Sequence, residues 1–143
     1  MKLTRGGEYG IRGVLYLAQQ DNGKVSMLSA IAKAQDVPPR FLAKIFQALA
    51  KAGVVKSHRG AKGGFSLAKP ASEVTVKDVI EAIEGPIYLN VCLMAPGECS
   101  RDKICPMHRV WEEAQEKMMD VLSRANFADL AKAEQQMLLA VSS

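Results

Sequence analysis

The sequence predicts a mainly α chain with one small β-ribbon, and three observations point there. Three stretches before residue 53 repeat apolar residues at helical spacing, a basic glycine-rich stretch between 54 and 68 has alternating flanks, and Pro106 opens a long helical pattern. The 143 residues are 48% hydrophobic and 24% charged, enough apolar content for one core and too little chain for a multidomain enzyme. Low-complexity tracts of the disordered kind are missing.

Tyr9, Ile11, Val14, Leu15, Leu17 and Ala18 form a first, mostly apolar helix that ends before the turn cluster Asp21-Asn22-Gly23. A short second helix starts near Ser26, buries Leu28, Ile31 and Ala32, and stops around Gln35-Asp36. Pro38 and Pro39 then supply the φ of a helical first turn, and Gly53 sits where a helix wants a residue free to turn left-handed. Between those marks Phe41, Leu42, Ile45, Phe46 and Leu49 collect on one face. Arg40, Lys44, Gln47 and Lys51 collect on the other, so one side seeks a core and the other offers cations and an amide.

Val54-Val55-Lys56-Ser57-His58 and Phe65-Ser66-Leu67-Ala68 flank the tip Arg59-Gly60-Ala61-Lys62-Gly63-Gly64, which reads as a two-stranded ribbon. A helix-turn-helix followed by such a ribbon is a winged helix. In that arrangement the second helix of the pair enters the major groove, and the ribbon tip reaches the adjacent backbone or minor groove. Gly60, Gly63 and Gly64 suit a wing because bare backbone approaches phosphates closely. A nucleotide-binding P-loop fails on context, since neither its Gly-Lys-Ser/Thr ending nor a following helix is present.

Charge supports the same reading. Residues 1–70 carry 12 lysines and arginines against three acids, a balance of +9, whereas residues 71–143 carry seven against 12, a balance of −5. No acid occurs from Val37 to Ser72, a span holding Arg40, Lys44, Lys51, Lys56, Arg59, Lys62 and Lys69. Duplex DNA is the expected partner. The expected contacts are Arg40, Lys44, Gln47 and Lys51 on the helix, and Ser57, His58, Arg59, Gly60 and Lys62 on the wing.

After Pro70, Thr75 caps a helix with Val76, Val79, Ile80 and Ile83 inward and Asp78, Glu81 and Glu84 towards water, ended by Gly85-Pro86. A loop of about twenty residues follows, longer than compact domains leave unorganised. Beyond it, Val110, Trp111, Ala114, Met118, Val121 and Leu122 repeat at near-helical spacing up to Arg124, a helix of roughly 28 Å. Asn126 caps a last helix bearing Phe127, Leu130, Ala131, Met137, Leu138 and Val141. So long an apolar stripe suits burial against the same helix of a second chain, and a two-fold DNA reader needs such a homodimer.

The loop holds all three cysteines, Cys92, Cys99 and Cys105, spaced C-x6-C-x5-C, with His108 shortly after. The N-terminus lacks a signal-peptide pattern, since Arg12 interrupts its apolar stretch, and no run of 18 apolar residues occurs. A cytoplasmic chain with no membrane role is expected. There, clustered thiols bind metal or do redox work more often than they form disulfides. Three thiolates from one loop suit an iron-sulfur cluster or zinc, and the close cysteine pairs of the usual zinc signature are missing, which favours iron. Cys105, next to Pro106, sits where a helix dipole stabilises thiolate by up to about 1 kcal/mol. His108, one turn into the helix, is the first candidate for a fourth ligand. Glu8 of the partner subunit is the second. No Ser/His/Asp, paired-carboxylate or metal-water arrangement suggests an enzyme.

The stretches Met1 to Tyr9, Leu42-Ala43-Lys44-Ile45-Phe46-Gln47-Ala48-Leu49 and Val54 to Phe65, followed by the cysteine trio, resemble the Rrf-two family of bacterial winged-helix regulators. That family includes the iron-sulfur regulator IscR and the nitric-oxide sensor NsrR. The resemblance covers almost the whole chain. It implies that helices two and three read DNA, that Arg59 enters the minor groove, that the long helix is a dimer interface, and that Cys92, Cys99 and Cys105 hold a two-iron or four-iron cluster. It also implies a fourth ligand at His108, as in IscR-like members, or at Glu8, as in some NsrR-like members.

The expected layout is therefore a winged helix-turn-helix DNA-binding region at 1–70, with reader helices at about 27–52 and a wing at about 54–68. Residues 71–143 carry the cluster loop, 92–105, and dimerisation helices, all within one compact domain. The expected function is transcription regulation governed by cluster status, redox state or nitric oxide. The alternatives are a cluster-free winged-helix regulator that senses through thiols or a partner protein, and an iron-sulfur carrier or electron-transfer protein.

Overall fold

A computed structural model describes residues 2–94, 97, 100, 101 and 103–142. Among them run α1 (Arg5–Ala18), α2 (Leu28–Gln35), α3 (Pro39–Lys51), β1 (Val55–His58), β2 (Gly64–Leu67), α4 (Val76–Glu84), α5 (Pro106–Arg124) and α6 (Phe127–Ser142), with short 3-10 turns at Ala71–Glu73 and Val91–Leu93. The winged helix-turn-helix is present, and β1 pairs antiparallel with β2 in the register Val55–Leu67 to His58–Gly64. No helix of the described residues is long and apolar enough to cross a membrane.

The core gathers Val14 and Leu17 of α1, Ile31 and Ala32 of α2, Leu42, Ile45, Phe46 and Leu49 of α3, Val55 of the wing, Val79 of α4 and Phe127 of α6. Both halves of the chain thus contribute to it. Helix α1 runs through its middle despite four glycines, each of which ordinarily weakens a helix. Packing explains them: a Cβ on Gly10 would lie 2.1 Å from Ile83 Cδ1, and one on Gly13 would lie 2.5 Å from Phe46 Cε1. The bare face lets α3 and α4 close on α1. The helix starts at Arg5, ahead of the apolar periodicity, because the Thr4 hydroxyl caps it by accepting from Gly7 N at 3.1 Å.

Helix α2 begins two residues later than expected. Ser26 instead pairs with Phe65, donating and accepting main-chain hydrogen bonds of 2.8 Å each, and so becomes a third strand-like rung beside the wing. Thr75 and Asp78 form a reciprocal capping box on α4, as a threonine three residues before an acid permits. Glu84 does not simply face water: its Oε1 accepts from Thr4 N at 2.6 Å and ties the end of α4 to the start of α1.

One expectation about apolar faces fails. Phe41, assigned to the buried side of α3, is 59% exposed, because the apolar arc centred on Leu42 and Phe46 already fills the space above α1. In α6, Phe127 and Ala131 are buried, but Met137, Leu138 and Val141 are 67%, 58% and 85% exposed. That half of the helix extends past the surface its own chain provides.

Candidate nucleic-acid interface and cysteine loop

The sharp turn between α2 and α3 is made by Asp36 in the left-handed region, φ 53° and ψ 52°, a conformation that Asp tolerates better than most residues. It delivers α3 with Leu42, Ile45, Phe46 and Leu49 buried and Arg40, Lys44, Gln47 and Lys51 all exposed. Arg40 lies in the first turn, which contains no acid, so the helix dipole disfavours its charge there. Among the described residues no salt bridge compensates: those present involve Lys69, Lys77, His108 and Arg124, none of them on α3.

Phe46 meets Phe65 edge to face, with ring centroids 5.0 Å apart, which docks the wing onto α3, while the Ser26 rung ties it to the segment entering α2. Ser57, His58, Arg59, Gly60 and Lys62 are exposed at its free end. His58 also bonds within the wing, its Nε2 lying 2.8 Å from the Oγ of buried Ser66. The wing glycines divide by role. A Cβ on Gly63 would strike His58 O at 2.2 Å and one on Gly64 would strike Ser26 O at 2.1 Å, so both serve the fold and not phosphate approach. Gly60, at φ 107° with nothing near its Cβ position, is the one open to an outside partner.

In the second half, Cys92 lies in the 3-10 turn Val91–Leu93, which packs on α5, and Cys105 is the N-cap of α5 with no capping hydrogen bond from its side chain. Both are half-buried. Leu89 N donates to Gln115 Oε1 at 2.8 Å and pins the front of the loop to the same helix. Cys99 lies outside the described residues, and among the described ones no group of three or more His, Cys, Asp or Glu converges.

His108, one turn into α5, carries the clearest signal. Its Nε2 lies 3.0 Å from Glu112 Oε1, and a carboxylate only accepts, so Nε2 bears the proton. In the neutral ring Nδ1 is then a lone pair, and this atom is buried without a partner. An orphaned buried acceptor on a ring held by a carboxylate is the arrangement of a metal-ligating histidine. Glu112 was missed by the sequence reading; its position i+4 from His108 was the available sign. Glu8, the other candidate, is exposed on α1.

The chain matches known regulators over most of its length. Residues 3–133 match the family described as Rrf2, iron-dependent transcriptional regulator. A protein of Aquifex aeolicus (strain VF5) named as an HTH-type transcriptional regulator is 35% identical over 136 residues, 94% of each chain. Protein aau3 of Rhizobium meliloti (strain 1021) is 36% identical over 138 residues, 95% of this chain and 88% of that one. Among solved structures, CymR (YrzC), the global cysteine regulator of B. subtilis, superposes with a TM-score of 0.76 at 28% identity, covering 93% of this chain and 98% of its own. T. potens IscR superposes with a TM-score of 0.77 at 28% identity, covering 96% and 90%. With its helix-turn-helix, its wing and these matches, the chain belongs to the Rrf2 family of DNA-binding transcriptional regulators and not to a family of enzymes.

Proposed function

We propose that the chain works as a homodimer that reads a two-fold DNA operator through residues 1–70 and adjusts its grip through an iron-sulfur cluster, two-iron or four-iron, held by residues 71–143. The observation that carries the reading is the partition of α3, whose apolar side is spent inside the chain while Arg40, Lys44, Gln47 and Lys51 are left exposed on a helix that contains no acid. Those four face the major groove, and Arg59 with Ser57, His58, Gly60 and Lys62 follows the backbone into the adjacent minor groove.

The donor types suit a cluster, two thiols on elements packed together and a buried imidazole nitrogen with no partner, although Cys92, Cys105 and His108 do not converge on one point in this structure. Cys92, Cys105 and His108 would hold it, with Cys99 as the third thiolate. His108 is preferred over Glu8 because its Nδ1 is already desolvated and free of any hydrogen bond. When bound, such a group supplies a redox couple and an inorganic core that oxidants or nitric oxide can dismantle. The chain's own part is to carry the ordering of the loop outward. Leu89 and the Cys92 turn hold to α5, α4 packs on α5, and Glu84 of α4 holds the N-terminus of α1 against the reader. A coupling of roughly 1–3 kcal/mol through such contacts alters affinity about 5- to 150-fold.

Two surfaces support the dimer. Helix α5 has no buried residue, with Val110 and Val121 exposed, and the apolar end of α6 is uncovered. A second reading, a regulator without a cluster that senses through thiols or a partner protein, draws on the equal likeness to the cysteine regulator CymR.

Anaerobic purification tests the choice. Visible absorption, with iron and sulfide that Cys92→Ala removes and operator binding that changes when iron is stripped, supports the first reading. A colourless dimer that binds the same operator, with an affinity that follows thiol oxidation, replaces it with the second. Arg59→Ala should weaken operator binding by roughly 1–3 kcal/mol and reduce its salt dependence by about one unit of slope.

A further inference from the structure

The exposed Phe41 ring is not accounted for by the fold. It is the one large apolar side chain of α3 left in solvent, one residue after Arg40 and one turn before Lys44, on the flank of the cationic face. Scattered apolar residues on a surface ordinarily carry no message. This one sits in the first turn of the helix that a helix-turn-helix module inserts into the major groove, where the N-terminal residues reach base edges.

We propose that Phe41 is a specificity residue that reads the 5-methyl group of a thymine in each operator half-site. A phenyl ring has no hydrogen-bonding atom, so it cannot anchor a phosphate as Arg40 or Lys44 can, and it gains nothing from the polar base edges. The thymine methyl is the apolar group that the major groove offers, and Phe is among the side chains suited to it. Flanking cations in an acid-free stretch favour a duplex over an apolar protein surface as the occupant. The side chain is also dispensable to the fold, since its main-chain N bonds to Pro38 O at 3.1 Å whatever the side chain is.

The inference rests on α3 being the reader helix, and one experiment separates the two. Duplexes are recovered from a random pool by the wild-type dimer. Each thymine is then replaced by deoxyuridine, which lacks only the methyl, and binding is measured for wild type, Phe41→Ala and Lys44→Ala. One symmetric thymine position should lower wild-type affinity about fourfold per half-site when demethylated. Phe41→Ala should lose a similar factor on the thymine duplex and be indifferent to deoxyuridine there, with an unchanged melting temperature. Lys44→Ala should weaken binding while leaving the methyl effect intact. Recovery of duplexes with no deoxyuridine effect, or a methyl effect that survives in Phe41→Ala, overturns the role of Phe41 and leaves the reader helix standing. A Lys44→Ala protein that binds as wild type overturns the reader helix itself, and with it the inference.

Discussion

Helices α3 and α5 are both amphipathic, yet they solve the problem of their apolar faces in opposite ways. The 13 residues of α3 bury Leu42, Ile45, Phe46 and Leu49 within the chain. The 19 residues of α5 bury none; Trp111, Ala114, Met118 and Leu122 are half-covered and Val110 and Val121 stand in solvent. A periodic stripe therefore announces that a face will be covered, not by what. Helix α3 is finished inside one chain, whereas α5 leaves its stripe only partly covered by its own chain.

The largest effect should come from breaking the finished side. Phe46→Ala removes a fully buried ring that touches Phe65 and lines the bare face of α1, and should cost about 3–5 kcal/mol of unfolding free energy in urea titrations. That is a large share of the roughly 5–15 kcal/mol by which domains are stable. A cost below about 1 kcal/mol would mean that α3 is not self-sufficient. On the other helix, Val121→Glu should leave the fold intact, because the side chain is 56% exposed, but weaken dimer association by roughly 2 kcal/mol or more in sedimentation equilibrium. An unchanged dimer would remove α5 from the interface.

A smaller effect sharpens the contrast at the start of α5. Glu112→Ala should free the His108 ring to exchange tautomers, seen by nitrogen NMR of the metal-free protein, and should lower metal affinity about tenfold. Glu113→Ala, one position further round the helix, should do neither. If the His108 proton in the wild-type apo-protein resides on Nδ1, the carboxylate does not set the ring.

The parts of the molecule legible in the sequence are those settled by neighbours along the chain. Pro38-Pro39 and Gly53 bracket α3, alternation and glycines mark the wing, and Thr75 with Asp78 caps α4, all of them local chemistry. What escaped depended on distant partners. The glycines of α1 look unfavourable until Ile83 and Phe46 are seen against them, and Gly64 looks like a phosphate contact until Ser26 O is found beside it. Phe41 joins the apolar arc by spacing, but only the filled space over α1 shows that it is left out. The candidate site was the more legible part: cysteine spacing could be read directly, and the i+4 spacing of Glu112 from His108 on the predicted helix was available but not used.

The docking of Phe65 on Phe46, together with its two main-chain bonds to Ser26, has a consequence for how DNA sites can differ. It ties the ribbon both to α3 and to the segment that leads into α2, so that the three form one packed unit. On the function proposed above, the base pairs reached by that unit keep one spacing within each half-site. A signal from the cysteine half would, on the same proposal, act on the step between the two such units of a dimer, and so on the centre-to-centre spacing of the sites it accepts.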